Sequence, residues 1–175
     1  MTVSCVGCAA RVPDVDGPTH PYMVASPGCW ELYGRVSAAA GDRELRWYHV
    51  DCYAAQHPGG AERDRRQRQS VAVHLTTLCL LLEHSVPGPR AAQLRGRLSR
   101  VVLPRLGLDD WPLLDPPATL GTTTVADLGS ALDGLPALHG VPDLDAVGQR
   151  WAESVWSAWS ARHDVVRGWA REALR

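Results

Sequence analysis

Two cysteines near the start of the chain are separated by two residues, in the sequence Cys5-Val-Gly-Cys8. This spacing lets both thiolates of one tight turn reach the same ion, and Zn²⁺ is the usual choice for such ligands. A redox pair of the same spacing normally follows a strand and opens a helix inside a βαβ unit, which the sequence does not indicate. We therefore predict a zinc site, with a redox pair or unligated thiols as the alternative.

Cys29 and His57 are the predicted remaining ligands. The pattern predicts one helix beginning near Cys29 and another ending near His57, each rising ~17 Å over about eleven residues. If these helices form an antiparallel hairpin, the two side chains lie next to each other, and the loop before Cys29 can return the Cys5–Cys8 pair to them. His20, within that loop, is the alternative fourth ligand.

Two further cysteines are predicted not to bind metal. Cys52 lies more than one helical turn before His57 and therefore points elsewhere, and His49 is a turn further away. Cys79 lies inside the most apolar predicted helix, where a free cysteine behaves as a small hydrophobic residue. Both thiols are expected to be packed in the interior.

His74 is the one ionisable group in the interior of that apolar helix, so it needs a hydrogen bond, a charged partner or a metal. Tyr53 approaches from the preceding helix if the two pack antiparallel, and His163 can come from the last helix. Imidazole and phenol groups near a metal suit general acid–base chemistry at neutral pH. His74, Tyr53 and His163 are therefore the predicted catalytic residues, and a hydrogen-bonded core histidine is the alternative reading of His74.

Two classes of function follow from these residues. The first is a zinc-containing enzyme that acts on a small molecule, with acid–base residues near the metal. The second is a binding or regulatory module in which the zinc is structural. A Ser-His-Asp order, a His-Glu-x-x-His motif and a phosphate-binding glycine loop are all missing from the sequence, which argues against hydrolase, zinc-protease and nucleotidase functions.

Four arginines crowd the start of the helix that contains His74: Arg63, Arg65, Arg66 and Arg68. Cations are mildly unfavourable at a helix N-terminus because of the helix dipole. Either the arginines are solvated, or they hold a small anion, such as a carboxylate or phosphate, with help from free backbone N–H groups. The cluster is short and has no interleaved aromatic residues, so nucleic acid is not an expected partner.

The elements that must position these residues are predicted to be helices. Apolar residues at spacings of three and four, together with stop signals, predict them over residues 29–40, 44–57, 66–84, 89–103, 124–132 and 143 to the C-terminus. Thr124 and Asp127 have the spacing of a capping box. Residues 1–27 read as irregular, and residues 104–117 as a proline-rich connection anchored by Trp111. The predicted fold is an all-α helical bundle with long loops and a zinc-bound N-terminal segment.

Length and composition place the chain among ordinary globular proteins. Its 175 residues suit one helical domain, with residues 1–60 forming the metal-binding segment and hairpin and residues 61–175 the remaining helices. The net charge of −1 gives no argument for nucleic acid or a membrane surface. There is no secretory signal and no run of about 18 apolar residues, so we predict a cytoplasmic protein without a membrane partner. Five cysteines in a reducing compartment favour metal ligands and buried thiols over disulfides.

Five segments of the chain resemble an uncharacterised bacterial family that is classed only as a domain of unknown function. They are THPYM (19–23), PGCW (27–30), VDCYAAQHPG (50–59), SVAVHLTTLCLLLE (70–83) and WAESVWSAWSARHDVVRGWA (151–170). The likeness covers nearly the whole chain. The family pattern repeats the C-x-x-C, the Tyr-x-x-Gln-His-Pro and the Ser-Val-x-x-His-Leu, but favours a small residue such as alanine at the position of Cys52. The resemblance therefore supports the choice of sites, weakens Cys52 as a ligand, and implies no reaction.

Overall fold

The computed structural model describes residues 1–59, 64–134 and 143–175. Arg63 and residues 135–142 of the predicted last loop lie outside the described residues. The described chain is mostly α-helical, as predicted, with two short strands. The elements are β1 (Thr2–Ser4), β2 (Arg11–Pro13), α1 (Pro27–Ala40), α2 (His49–Gln56), α3 (Arg65–Leu82), α4 (Gly88–Arg95), α5 (Leu98–Leu106), α6 (Val125–Gly134), α7 (Leu144–Ala158) and α8 (His163–Leu174).

The first strands form a small antiparallel hairpin at the N-terminus. β1 pairs with β2 so that Val3 lies opposite Val12, whose side chain is fully buried. The sequence reading of residues 1–27 as irregular was wrong for these six residues. The strands are three residues each, too short for an alternating pattern to be detected, and pairing across the Cys5–Cys8 turn is what orders them.

α1 and α2 form the predicted helical hairpin. α1 begins at Pro27, two residues before Cys29, and proline suits the first helical turn because its missing N–H would have no partner there. The predicted helix over residues 44–57 is divided: Glu44–Trp47 is a 3-10 turn, and α2 follows. Leu45 is fully buried, and its backbone N–H donates to Asp145 Oδ1 at 3.2 Å. This hydrogen bond ties the 3-10 turn to α7.

α3 is the central helix of the bundle, as predicted. It contacts α2, α4, α7 and α8, and Leu75, Leu78 and Leu80 are fully buried between them. Its N-cap is Asp64, whose carboxylate accepts from the backbone N–H of Arg66 at 2.8 Å. Within the described ranges, every helix is too short or too polar to cross a lipid bilayer.

Two long predicted helices are each broken in the structure. The helix predicted over residues 89–103 divides into α4 and α5 at Gly96 and Arg97. The helix predicted from residue 143 to the C-terminus divides at Trp159 and a 3-10 turn. Residues 143–175 carry two apolar stripes, and one straight helix cannot bury both stripes against the same core. The break lets α7 bury Trp151 and α8 bury Trp169.

The connections behave as predicted at two positions. Trp111 anchors the proline-rich segment: its ring is 1% exposed, and its indole N–H donates to Ser99 Oγ at 2.9 Å. Thr124 and Asp127 form the capping box of α6. The backbone N–H of Thr124 donates to Asp127 Oδ2 at 2.7 Å, and Thr124 Oγ1 accepts from the backbone N–H of Ala126 at 3.2 Å.

Candidate metal centre

The structure brings the four predicted metal ligands together. Cys5 and Cys8 lie on the turn between β1 and β2, Cys29 lies in the first turn of α1, and His57 caps the end of α2. Their ligating atoms all lie within 4.8 Å of one another. Cys29 Sγ is 3.3 Å from His57 Nε2, Cys5 Sγ is 3.7 Å from the same nitrogen, and Cys8 Sγ is 3.9 Å from Cys29 Sγ. These residues are close enough to bind one metal ion.

Three of the separations between the ligating atoms are close to those of a tetrahedral site. With metal–sulfur bonds of about 2.3 Å and metal–nitrogen bonds of about 2.0–2.1 Å, tetrahedral angles place two sulfurs about 3.8 Å apart and a sulfur and a nitrogen about 3.5 Å apart. The observed distances of 3.9 Å between Cys8 and Cys29, and of 3.3 and 3.7 Å to His57, lie close to these values. Three thiols and one imidazole form a donor set typical of zinc.

All four ligands are buried. Cys5 is 3% exposed, Cys8 8%, Cys29 0% and His57 1%. The most exposed of them, Cys8, borders an open groove of about 500 Å³. Solvent therefore barely reaches the cluster.

Gly7 allows the cysteine turn to approach the other ligands. The backbone N–H of Cys5 donates to the carbonyl of Ala10 at 2.8 Å, and Ala9 takes a positive φ of 60°, so the turn closes tightly. A Cβ at position 7 would lie 2.0 Å from the carbonyl oxygen of Val24 and 2.6 Å from His57 Cδ2. Glycine is therefore required at this position by close packing against Val24 and His57.

Two hydrogen-bond donors face the cysteine sulfurs. The backbone N–H of Ser26 donates to Cys5 Sγ at 3.5 Å, and the hydroxyl of Tyr53 donates to Cys29 Sγ at 3.7 Å. Burial and the neighbouring Cys29 sulfur raise the pKa of Tyr53 above its ordinary value, so the phenol remains a donor. Both contacts would stabilise the negative charge of the thiolates that a bound metal ion requires.

The thiols and the imidazole influence one another's ionisation. Hydrogen bonding with Cys29 and then Cys8 holds the pKa of Cys5 far below its ordinary value, while the same partnership raises the pKa of Cys29. Burial by itself would lower the pKa of His57, but the sulfurs of Cys5 and Cys8 outweigh it and raise that pKa to about 9. The cluster attracts positive charge, as expected for a cation site.

The other candidate ligands lie elsewhere. In the described part of the chain, the group of metal-ligating side chains that contains the Cys5–Cys8 pair does not include His20, whose ring lies edge-on to Tyr22 at 4.3 Å. Cys52 and Cys79 are free, fully buried thiols, as predicted.

His74 pairs with a carboxylate that the sequence analysis did not single out. His74 Nδ1 lies 2.7 Å from Asp51 Oδ1, and Arg95 Nη1 lies 2.7 Å from Asp51 Oδ2. The side chain of Asp51 is fully buried, and that of His74 is 14% exposed. The sequence signal that could have revealed this pair is Asp51 itself, an acidic residue among the apolar positions of α2. A buried carboxylate requires charged or hydrogen-bonding partners.

Among the described residues, no hydrogen bond, ion pair or ring contact joins either of the other two predicted catalytic residues to His74. Tyr53 is fully buried beside the candidate metal ligands, and its ring stacks 4.0 Å from that of Tyr33. His163 lies where α8 begins: it stacks on Trp156 at 3.8 Å, its Nε2 donates to the Trp156 carbonyl at 2.9 Å, and its Nδ1 lies 3.4 Å from Arg167 Nη2. Their catalytic roles stay predictions.

The arginines at the start of α3 have acidic partners. Arg66 Nη2 lies 3.3 Å from Asp64 Oδ2, Arg65 Nε lies 3.4 Å from Asp110 Oδ1, and Arg68 forms an ion pair with the other oxygen of Asp110. Asp64 and Asp110 thus offset the unfavourable interaction between these cations and the α3 dipole.

Taken together, the fold and the site define a helical protein with a buried Cys3His cluster. A family model described as a family of unknown function (DUF5946) matches residues 3–160. The chain therefore belongs to that family. No curated protein and no solved structure matches the chain significantly.

Proposed function

We propose that the chain is a zinc protein in which Cys5, Cys8, Cys29 and His57 hold one structural Zn²⁺. The observation that carries this proposal is the near-complete burial of all four side chains at mutual distances suited to tetrahedral coordination. A catalytic zinc usually keeps one position for water or substrate, whereas here four protein ligands complete the set. Thiolate ligation also suits a reducing compartment, and we propose a cytoplasmic location.

The metal would connect three separate elements of the chain. The β1–β2 turn, the start of α1 and the end of α2 come from different parts of the chain, and the strands are only three residues long. Because the four side chains come together only in the folded chain, metal binding free energy would become folding free energy. The zinc would thereby hold the N-terminal hairpin against the helical bundle.

Metal analysis of the purified protein tests this function. We expect one zinc per chain by mass spectrometry, and loss of the N-terminal fold when a strong chelator removes it. Cys29→Ala should abolish stoichiometric zinc, while the matched control Cys52→Ala, which alters a buried thiol outside the cluster, should retain it. Metal-free protein with unchanged stability, or full zinc content in Cys29→Ala, would contradict the proposal.

A second candidate function is acid–base catalysis on a small molecule by His74. The pairing of His74 with Asp51 at 2.7 Å favours it, because a carboxylate that orients an imidazole is a recurring feature of general bases. Incubating the protein with a mixture of small metabolites and following their consumption tests this candidate. Consumption by the wild type that is lost in His74→Gln but kept in His84→Gln, which changes an exposed histidine beyond the end of α3, would support it, and consumption unaffected by His74→Gln would contradict it.

A further inference from the structure

A small surface cavity lies beside His74. It has a volume of about 180 Å³ and is lined by Tyr22 from the N-terminal segment and by one face of α3, which includes Arg66, Ser70 and His74. Since a water molecule occupies about 30 Å³ of liquid, the cavity has room for about six non-hydrogen atoms. Any ligand of this cavity is therefore a small molecule.

Asp51 determines which nitrogen of His74 faces the cavity. A carboxylate bound to Arg95 can only accept, so the proton of neutral His74 lies on Nδ1 and is donated to Asp51 Oδ1 at 2.7 Å. The lone pair then lies on Nε2, at the edge of the ring that points away from the buried Asp51. Among the described residues, Nε2 has no hydrogen-bond partner, so it can accept a hydrogen bond from a ligand.

Ser70 supplies a second polar group without a partner. It lies one helical turn before His74 on the same face of α3, lines the same cavity and is 9% exposed. Its Oγ is buried and has no hydrogen-bond partner in the described part of the chain. Buried hydroxyls are nearly always paired. Ser70 therefore has an unused hydrogen-bonding group in the lining of the cavity.

The rim of the cavity carries positive charge. The Arg66 guanidinium lies 5.6 Å from the Tyr22 ring, over its face, and its ion pair with Asp64 is at the surface, with 66% of the Arg66 side chain exposed. His20 is close enough to His74 that, after burial, the neighbouring imidazole is the second cause of its lowered pKa. A guanidinium at the mouth of a small cavity favours a carboxylate.

We propose that the cavity formed by Tyr22, Arg66, Ser70 and His74 binds a small hydroxy acid. Its carboxylate pairs with Arg66, and its hydroxyl donates to His74 Nε2 while accepting from Ser70. The proposal deepens the second candidate function, since it uses the same histidine, and it does not depend on the zinc.

Glycolate is the probe, and acetate is its matched control because it has the same charge but no hydroxyl. The imidazole nitrogens of the zinc-loaded protein are followed by ¹H–¹⁵N correlation during titration. We expect glycolate to shift His74 Nε2 saturably, with a dissociation constant on the order of millimolar, as is usual for so few atoms. Acetate should bind about tenfold more weakly because it leaves His74 and Ser70 unpaired.

Three variants separate the contributions. Ser70→Ala should weaken glycolate but not acetate, and Arg66→Gln should weaken both. His84→Gln, which changes an exposed histidine beyond the end of α3, should leave binding unchanged. If His74→Gln fails to fold, Ser70→Ala and Arg66→Gln carry the test.

Equal binding of acetate and glycolate, no saturable shift, or unchanged glycolate binding in Ser70→Ala and Arg66→Gln would overturn the proposal. If glycolate binds but no metabolite is consumed, the acid–base function is wrong and the hydroxy-acid site stands. If metabolite consumption depends on His74 but glycolate does not bind, the hydroxy-acid site is wrong and the acid–base function stands.

Discussion

The Nδ1 nitrogen of His57 lies 2.7 Å from the carbonyl oxygen of Tyr53, one turn earlier in α2. A carbonyl can only accept, so Nδ1 carries a proton, and Nε2 is the nitrogen that faces the sulfurs of Cys5 and Cys29 and would bind a metal ion once its own proton is released. The same residue, Tyr53, donates its hydroxyl to Cys29 Sγ. Tyr53 therefore orients one predicted ligand through its backbone and contacts another through its side chain.

We expect Tyr53→Phe to weaken zinc binding about tenfold without unfolding the protein, because it removes the hydroxyl that contacts Cys29 Sγ but keeps the backbone carbonyl that orients His57. Competition with a chromophoric chelator measures the affinity. Tyr33→Phe is the matched control, since its hydroxyl contacts His49 and no metal ligand. Equal affinities of wild type and Tyr53→Phe would show that this hydroxyl does not support the site.

Gly7→Ala should disrupt the metal centre. The added Cβ would lie 2.0 Å from the Val24 carbonyl oxygen and 2.6 Å from His57 Cδ2, so backbone must move. We expect a loss of about 2 kcal/mol in the free energy of unfolding and weaker zinc binding.

The control for Gly7→Ala is Gly34→Ala in α1, where an added Cβ meets no atom of the described chain within 4 Å. That substitution should stabilise the protein by about 0.5–1 kcal/mol, because alanine favours the helix. Urea unfolding of both variants at a fixed zinc concentration compares them. A Gly7→Ala variant as stable as the wild type would contradict the close packing of this turn.

Asp51→Asn should lower the free energy of unfolding by about 2–3 kcal/mol, because it leaves the partly buried Arg95 without its anionic partner. Asp115→Asn is the control, since Asp115 is 80% exposed and lies 3.5 Å from Arg162. That surface pair should contribute less than about 1 kcal/mol. Chemical denaturation gives both values, and equal effects of the two substitutions would refute a structural role for the buried carboxylate.

Glu83 should make stability depend on pH. Arg167 binds both of its oxygens, at 2.7 and 2.8 Å, and this pairing lowers the pKa of Glu83 from 4.5 to about 2. A carboxyl whose folded pKa is lowered stabilises the protein above its unfolded pKa and loses that contribution as the pH falls. The contribution is therefore present at pH 7 and declines between about pH 5 and pH 2.

Glu83→Gln measures this contribution. Because the pair is partly exposed, we expect the variant to be about 1 kcal/mol less stable at pH 7, and we expect the difference from wild type to shrink as the pH falls to 2. Taking the difference cancels any acid release of zinc, which both proteins share. Glu153→Gln is the control, since Glu153 contacts only Gln149 among the described residues. A difference that does not change with pH would exclude this linkage.

The ligands could be predicted from the sequence because their chemistry and spacing are local. Two thiols three positions apart share one tight turn, and a cysteine and a histidine at opposite ends of two successive helices need only helical geometry to be brought together. Asp51 could not be predicted in the same way. Its partners, His74 and Arg95, lie 23 and 44 residues later, on helices whose relative rotation no local pattern determines.

By itself, the sequence determined the helical class, the central apolar helix, the capping box at Thr124 and the candidate ligands Cys5, Cys8 and Cys29, since these depend on periodicity and on side-chain chemistry. It left the fourth candidate ligand open between His57 and His20. Only the tertiary structure decided that the cluster is closed to solvent, that Gly7 must lack a side chain, and that the last apolar segment breaks at Trp159. Each of these depends on how separate elements pack, and packing distances of a few ångströms are set by contacts between residues far apart in the chain.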